Sequence, residues 1–379
     1  MRNLPEFITD LLESRGAIVD KSGADGLDVI ASPEISSLLG LPEYHRLSFA
    51  SENMGKDALP ASYDSEYFRS LERLFADTGR RAAVTIETPA VHADKIAKTL
   101  TEHLPLTNAT LRMERREETS LAYYLVFFRF TALSDDRHEG MLSVLVNPLT
   151  GSTALLENAL EELADRMRPL AEAGEIPAAE IMKIFGWACT AVTGMVKERL
   201  KDFIRSAERR LNRDVRRVYE YYETLKEEVT LSIQKKAAAG QQMQMLTEST
   251  PKEGIERLQA KLPAIDAERE WKIQDLTAKY ALEIRLAPLC ALRIQATVPV
   301  FWITLKRRLA SRLFPVTYNP LLKKLDPLPC ESCFHPAGAY TVCDEKLHVI
   351  CTNCFTTCLR CGKPHCPVCH GGKCPKSKS

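Results

Sequence analysis

An α+β fold with a separate metal module is predicted for this chain of 379 residues, and three features predict it. An aromatic, β-branched stretch at 121–133 is apolar on both faces, as a central strand is. A run of about 45 residues between Gly194 and Gly240 contains neither glycine nor proline, as a long helix requires. Ten of the 12 cysteines lie after residue 329, too densely for ordinary core residues.

The 45% hydrophobic content excludes a chain disordered throughout. No apolar run reaches the ~18 residues of a membrane span. The opening MRNLPEFITDLLESRG is amphipathic and has no secretory pattern. A cytoplasmic location follows as an expectation, and there clustered cysteines act as metal ligands more often than as disulfides. The chain has no P-loop, dinucleotide fingerprint, H-E-x-x-H or G-x-S-x-G motif, so no catalytic residue is assigned.

Residues 1–155 are expected to form an α/β domain. Phe7, Ile8, Leu11 and Leu12 share one helical face, and Ser65–Thr78 repeats that spacing up to Gly79. Strands at 121–133 and 141–146 predict an antiparallel sheet, with turn chemistry at Asn147–Gly151. Residues 156–194 are a helical connector in this reading. Residues 195–280 are expected to form an antiparallel coiled-coil hairpin. Its first stripe is Leu211, Val215, Val218, Tyr222, Leu225, Val229 and Ile233, and its second is Ile255, Leu258, Leu262, Ile265, Leu276 and Tyr280. A hinge is expected at 237–242, a capping box at Thr250–Glu253, and a kink or split at Pro263. Pairing with a second copy of the chain is the alternative. Residues 281–327 read as a small β segment, and 328–379 as the metal module. Cys189 and Cys290 read as small core residues, and His92, His103 and His138 as isolated histidines.

The formal net charge of +1 conceals an acidic first half and a basic second half. On the long helix Arg205, Arg209, Arg213 and Arg216 fall on one face. Together with Arg307, Arg308, Lys363 and Lys373 they are candidate phosphate contacts. A solvated helix face is the simpler reading of the arginine stripe.

The tail holds four Cys-x-x-Cys pairs: Cys330/Cys333, Cys351/Cys354, Cys358/Cys361 and Cys366/Cys369. Two thiolates on one tight turn bind one metal, and two such turns complete a tetrahedral shell that favours zinc. The first two pairs have zinc-ribbon spacing, with strands expected at 340–342 and 347–350. In the simplest reading Cys358, Cys361, Cys366 and Cys369 form a second site, with Cys374 or His370 substituting for one. The pattern from Cys330 through Cys343, His348 and Cys354 to Cys369 also resembles a RING-type cross-brace. The segment Cys358–Cys374 is similar to the later part of an in-between-RING module. The cross-brace resemblance implies a second site of Cys343, His348, Cys366 and Cys369. Both readings imply two zinc ions and leave the first site unchanged.

The expected function is a non-enzymatic zinc-binding adaptor. It docks a protein partner of a larger complex and contacts nucleic acid through its basic half. A pure protein–protein scaffold and a RING-like cofactor of a protein-modifying enzyme are the alternatives. No membrane contact is expected, and a homodimer could form through the coiled coil.

Overall fold

The computed structural model of the chain describes residues 3–21, 26–49, 58–75, 81–88, 96, 100, 104–157, 161, 163–170, 176–243, 252–371 and 374. Two compact units divide it, Met1–Arg80 and Arg81–Ser379. The expected boundary at 155 therefore falls inside the second unit.

The first unit is a four-stranded sheet, β1 (Ile18–Lys21), β2 (Gly26–Ile30), β3 (Tyr44–Ser48) and β4 (Ala58–Pro60), paired in that order. Its helices are α1 (Leu4–Ser14), α2 (Pro33–Leu39) and α3 (Glu66–Ser70). Each starts on a side-chain cap from Asn3, Ser32 or Ser65, which satisfies amide groups left free in the first turn. Ile8, Leu12, Leu27, Val29, Leu47 and Leu74 are buried together. The helix expected over Ser65–Thr78 tightens after Ser70 into a 3-10 turn, Leu71–Phe75.

The second unit is built on two very long strands, β6 (Thr110–Leu133) and β10 (Glu283–Arg307), antiparallel from end to end. β7 (Arg137–Val146) and then β8 (Thr153–Leu155) extend the sheet beyond β6. On the other edge of β10, β5 (Arg81–Ile86) pairs in parallel with 291–295, and β11 (Ala310–Asn319) pairs antiparallel with 300–307. β9 (Met167–Pro169) joins β5, and β12 (Lys324–Leu325) joins β11. The expected small β segment therefore supplies three of the eight strands of the main sheet and is not a separate link. The first part of the expected helical connector is also strand at β9, and its helix α4 (Ala178–Arg199) begins only at Ala178.

Alternation along β6 and β10 sends side chains to both faces, and over 121–133 of β6 both faces are covered. Tyr124, Val126, Phe128 and Phe130 meet Ile184, Ala188, Val192 and Val196 of α4. Tyr123, Leu125, Ile294, Ala296 and Val298 pack on the opposite side with Leu156 and Leu163. Across the register shift at Trp302/Ile303, Phe301, Ile303 and Leu305 pack with Phe314, Val316 and the cysteine segment. Cys189 is half-buried beside α4's core face, whereas Cys290, at the Pro288/Cys290 shift, is exposed rather than a core residue.

A polar cluster ties β6, the 147–152 turn and β11 together. The Asp326 carboxylate accepts from Tyr123 Oη at 2.9 Å, Asn147 Nδ2 at 2.8 Å, Thr317 Oγ1 at 2.5 Å and Asn319 Nδ2 at 2.7 Å. Burial pushes its pKa up from the ordinary carboxylate value, and those four donors pull it back.

α5 (Lys201–Met243) runs antiparallel to α6 (Lys252–Lys279). The register is pinned by Tyr280 Oη donating to Asp214 at 2.7 Å, Arg269 to Glu223 at 2.6 Å and Lys226 to Asp266 at 3.0 Å. The two expected stripes are buried or half-buried along this contact, Tyr222 and Tyr280 most deeply. The helix continues through 237–242 to Met243, so the expected hinge does not form there. Thr250 and Pro251 of the expected capping box lie outside the described residues. Pro263 is accommodated within α6 and does not split it. The glycine-free run breaks instead at Leu200, which is fully buried against α4. No helix among the described residues is long and apolar enough to cross a membrane.

Candidate metal centre

The cysteine segment is fastened to the sheet before any metal is considered. Asn108 exchanges two hydrogen bonds with the backbone of Val342, and Tyr340 N donates to Pro105 O at 2.9 Å. Arg312 of β11 donates twice to Glu331, at 2.9 and 3.0 Å, and Glu331 accepts from Val349 N at 2.6 Å. Two short hairpins complete the segment. β13 (Tyr340–Val342) pairs with β14 (Val349–Cys351), and β15 (Thr356–Thr357) with β16 (Pro364–His365).

Three groups of ligand atoms result, and within each group all lie within 4.8 Å of one another. Cys330, Cys333, Cys351 and Cys354 form the first. Cys330 is fully buried, and its sulfur accepts from Cys351 N at 3.2 Å. The first turn is closed by Phe334 N donating to Cys330 O at 2.8 Å, which places Phe334 at φ +55°. That left-handed conformation usually selects glycine. Phe334 is held in it by its ring against Trp187, at 5.4 Å, and by the Thr153 hydroxyl on its carbonyl.

The second group is Cys343, His348, Cys366 and Cys369. His348 Nδ1 lies 3.8, 3.7 and 3.3 Å from the three sulfurs in that order. Cys343 N donates to His348 O at 3.0 Å, and His348 N to Cys343 Sγ at 3.3 Å, closing the loop that presents both. α7 (Pro367–His370) carries Cys369 in its single turn, with Cys366 as its cap. The third group, Cys358, Cys361 and Cys374, is more exposed.

The grouping differs from the simplest sequence reading. Cys366 and Cys369 join Cys343 and His348, while Cys358 and Cys361 join Cys374. The cause is local. The β15–β16 hairpin sets the Cys358 turn at its tip, so that turn and the Cys366 turn belong to different groups. His370 belongs to none of them, since its Nε2 pairs with Glu345 Oε1 at 2.8 Å.

The donor sets are S₄, S₃N and S₃, which suit a soft or borderline cation. In the first group mutual sulfur contacts hold the Cys330 thiol well below its ordinary value and push Cys333 up. A bound cation relieves that conflict by stabilising every thiolate at once. Comparisons with protein-family models, with curated proteins and with solved structures find no match for the chain.

The candidate phosphate contacts separate into those paired with carboxylates and those that are exposed, of which Arg209 donates to Arg205 O at 3.3 Å. Arg307 donates to Asp344 at 2.5 Å and to Asn108 O at 3.0 Å, so it is a structural clamp between sheet and cysteine segment. Arg308 lies 3.3 Å from the same Asp344. Arg205 and Arg213 stand 3.6 and 3.8 Å from Asp202 and Asp214. Arg209, Arg216 and Lys363 are exposed, and Lys373 lies outside the described residues. His92 and His103 also lie outside them, and His138 stacks on Phe203 at 5.5 Å.

Helix α4 supplies a contact that the sequence did not advertise. A Cβ on Gly194 would meet His335 Cδ2 at 2.7 Å. Gly194→Ala gains ~1 kcal/mol of helix propensity but crowds that ring. Overpacking of this kind costs about 1–3 kcal/mol, so the variant should melt below the wild type. An unchanged or higher melting temperature would show that His335 moves aside freely.

Proposed function

We propose that the chain is a non-enzymatic, zinc-dependent adaptor whose cross-braced module is structural and whose role is docking to a protein partner. Zinc fits the thiolate-rich donor sets, one ion in each four-ligand group. The observation that carries the reading is that both four-ligand shells are filled by the chain's own side chains and share a core with the main sheet. A filled tetrahedral shell keeps no position for a reacting water, so these two ions hold the fold and do not catalyse. Recovery of a stoichiometric protein partner from chelator-free preparations tests the docking role. Recovery of the chain alone under those conditions counts against it.

Nucleic-acid contact is the second part of this reading. It rests on Arg209 and Arg216, exposed on one face of α5. Affinity should fall steeply with salt, and Arg209→Glu with Arg216→Glu should flatten the log–log slope by about 0.9 per lost phosphate contact on duplex DNA. Salt-independent binding, or none, would remove nucleic acid and leave the protein scaffold. A RING-like cofactor of a protein-modifying enzyme is the competing reading, favoured by one observation, the convergence of His348 Nδ1 with Cys343, Cys366 and Cys369.

A further inference from the structure

We infer that Cys358, Cys361 and Cys374 hold a third metal ion, of the same thiophilic class, with one coordination position open to a thiol or imidazole donor from outside the chain. The inference rests on the zinc reading of the other two groups but concerns different residues.

The Cys358 turn is built as a ligand-presenting turn. Cys358 N donates to Lys363 O at 3.0 Å and Gly362 N to Cys358 O at 2.9 Å, and Gly362 takes φ +65° to close the turn that carries Cys358 and Cys361. Cys374 does not belong to this turn. The chain leaves it, passes through Cys366 and Cys369 in the second group, reverses at Gly371 with φ +57°, and returns Cys374 Sγ to 3.6 Å from Cys361 Sγ. This third group therefore interleaves with the second as the second does with the first. A disulfide between Cys361 and Cys374 would leave Cys358 without a role, whereas a cation uses all three sulfurs.

The shell is incomplete among the described residues. Among the described residues no fourth His, Cys, Asp or Glu atom joins these three. His370 is paired with Glu345, and in the sequence around Cys374 residues 372–373 and 375–379 are glycine, lysine, proline and serine, none of them a ligand of this class. Three protein ligands and an accessible fourth position distinguish an exchangeable site from a closed structural one. The exposure of Cys361 leaves that position reachable from solvent.

The test uses the full chain purified without chelator, with zinc measured per chain. Three equivalents are expected, one of them released to a chromogenic chelator at least tenfold faster than the others. Cys374→Ser should hold two, lose the fast phase and keep the wild-type melting temperature. Cys361→Ser, at an exposed position, should repeat that result if Cys374→Ser folds poorly. In cobalt(II)-loaded protein, added imidazole should shift the visible bands of the wild type and not those of Cys374→Ser. Unchanged zinc content in both variants would overturn the third site. A third equivalent with no imidazole response would overturn the open position. Loss of zinc on Cys330→Ser or His348→Ala reports on the other two groups and so separates their failure from this one.

Discussion

Chelation of the metal, or Cys330→Ser, should unfold the large sheet unit and not merely fray its C-terminal segment. Cys330, Cys343, Cys351 and Cys366 are buried in one cluster with Phe301, Ile303, Leu305, Phe314 and Val316 of the two paired strands β10 and β11. Structural zinc contributes about 10–16 kcal/mol of apparent binding free energy at neutral pH. A folded domain has a net stability of only ~5–15 kcal/mol. Loss of one buried site therefore matches or exceeds what the unit has to spare. Far-ultraviolet circular dichroism under chelator should lose strand signal along with the tail. Retention of the sheet with a disordered tail would show that the shared core stands without the metal.

Asp326→Ala should cause the second-largest loss, at least ~3 kcal/mol. Tyr123, Asn147, Thr317 and Asn319 all donate to this carboxylate. Each donor left buried without an acceptor costs ~1–3 kcal/mol, with Asn147 partly compensated by Thr317 Oγ1 at 2.6 Å. Asp326→Asn should cost less, because one amide oxygen replaces the acceptor of three donors and only the contact with Asn319 becomes donor against donor. The pH dependence follows from the raised pKa. The folded state binds this proton more tightly than the unfolded chain. Its contribution is therefore fully present below the ordinary carboxylate value and is lost as pH rises through the folded value. Asp326→Asn should remove that slope from the urea midpoint. An identical slope in wild type and variant would assign it to other groups.

Elements whose pattern is local were legible in the sequence. The strand at 121–133, the long helix and its stripe, its antiparallel partner and the first cysteine group all follow from residue spacing. What the sequence concealed depends on distant pairing. Nothing local to 283–307 indicates that it is one strand lying along the whole of 110–133, because register is set between chain segments and not within one. That one sheet joins strands from both sides of residue 155 is hidden for the same reason. The second metal group was ambiguous because each Cys-x-x-Cys turn looks alike. Only the β15–β16 hairpin and the Cys343–His348 loop decide which turns meet. Arg307 looked like a phosphate contact because its partner, Asp344, is 37 residues away. Gly194, which opens the glycine-free run in the sequence, lies inside α4, and nothing local marks it as the seat of His335, which arrives from the cysteine segment.

Zinc content of a Cys343→Ser, His348→Ala double variant tests the cross-braced account most directly. Pairing of Cys343 and His348 with Cys366 and Cys369 predicts that the content falls by one equivalent per chain. A content equal to that of the wild type would contradict it, and would return the second site to the neighbouring pairs Cys358/Cys361 and Cys366/Cys369.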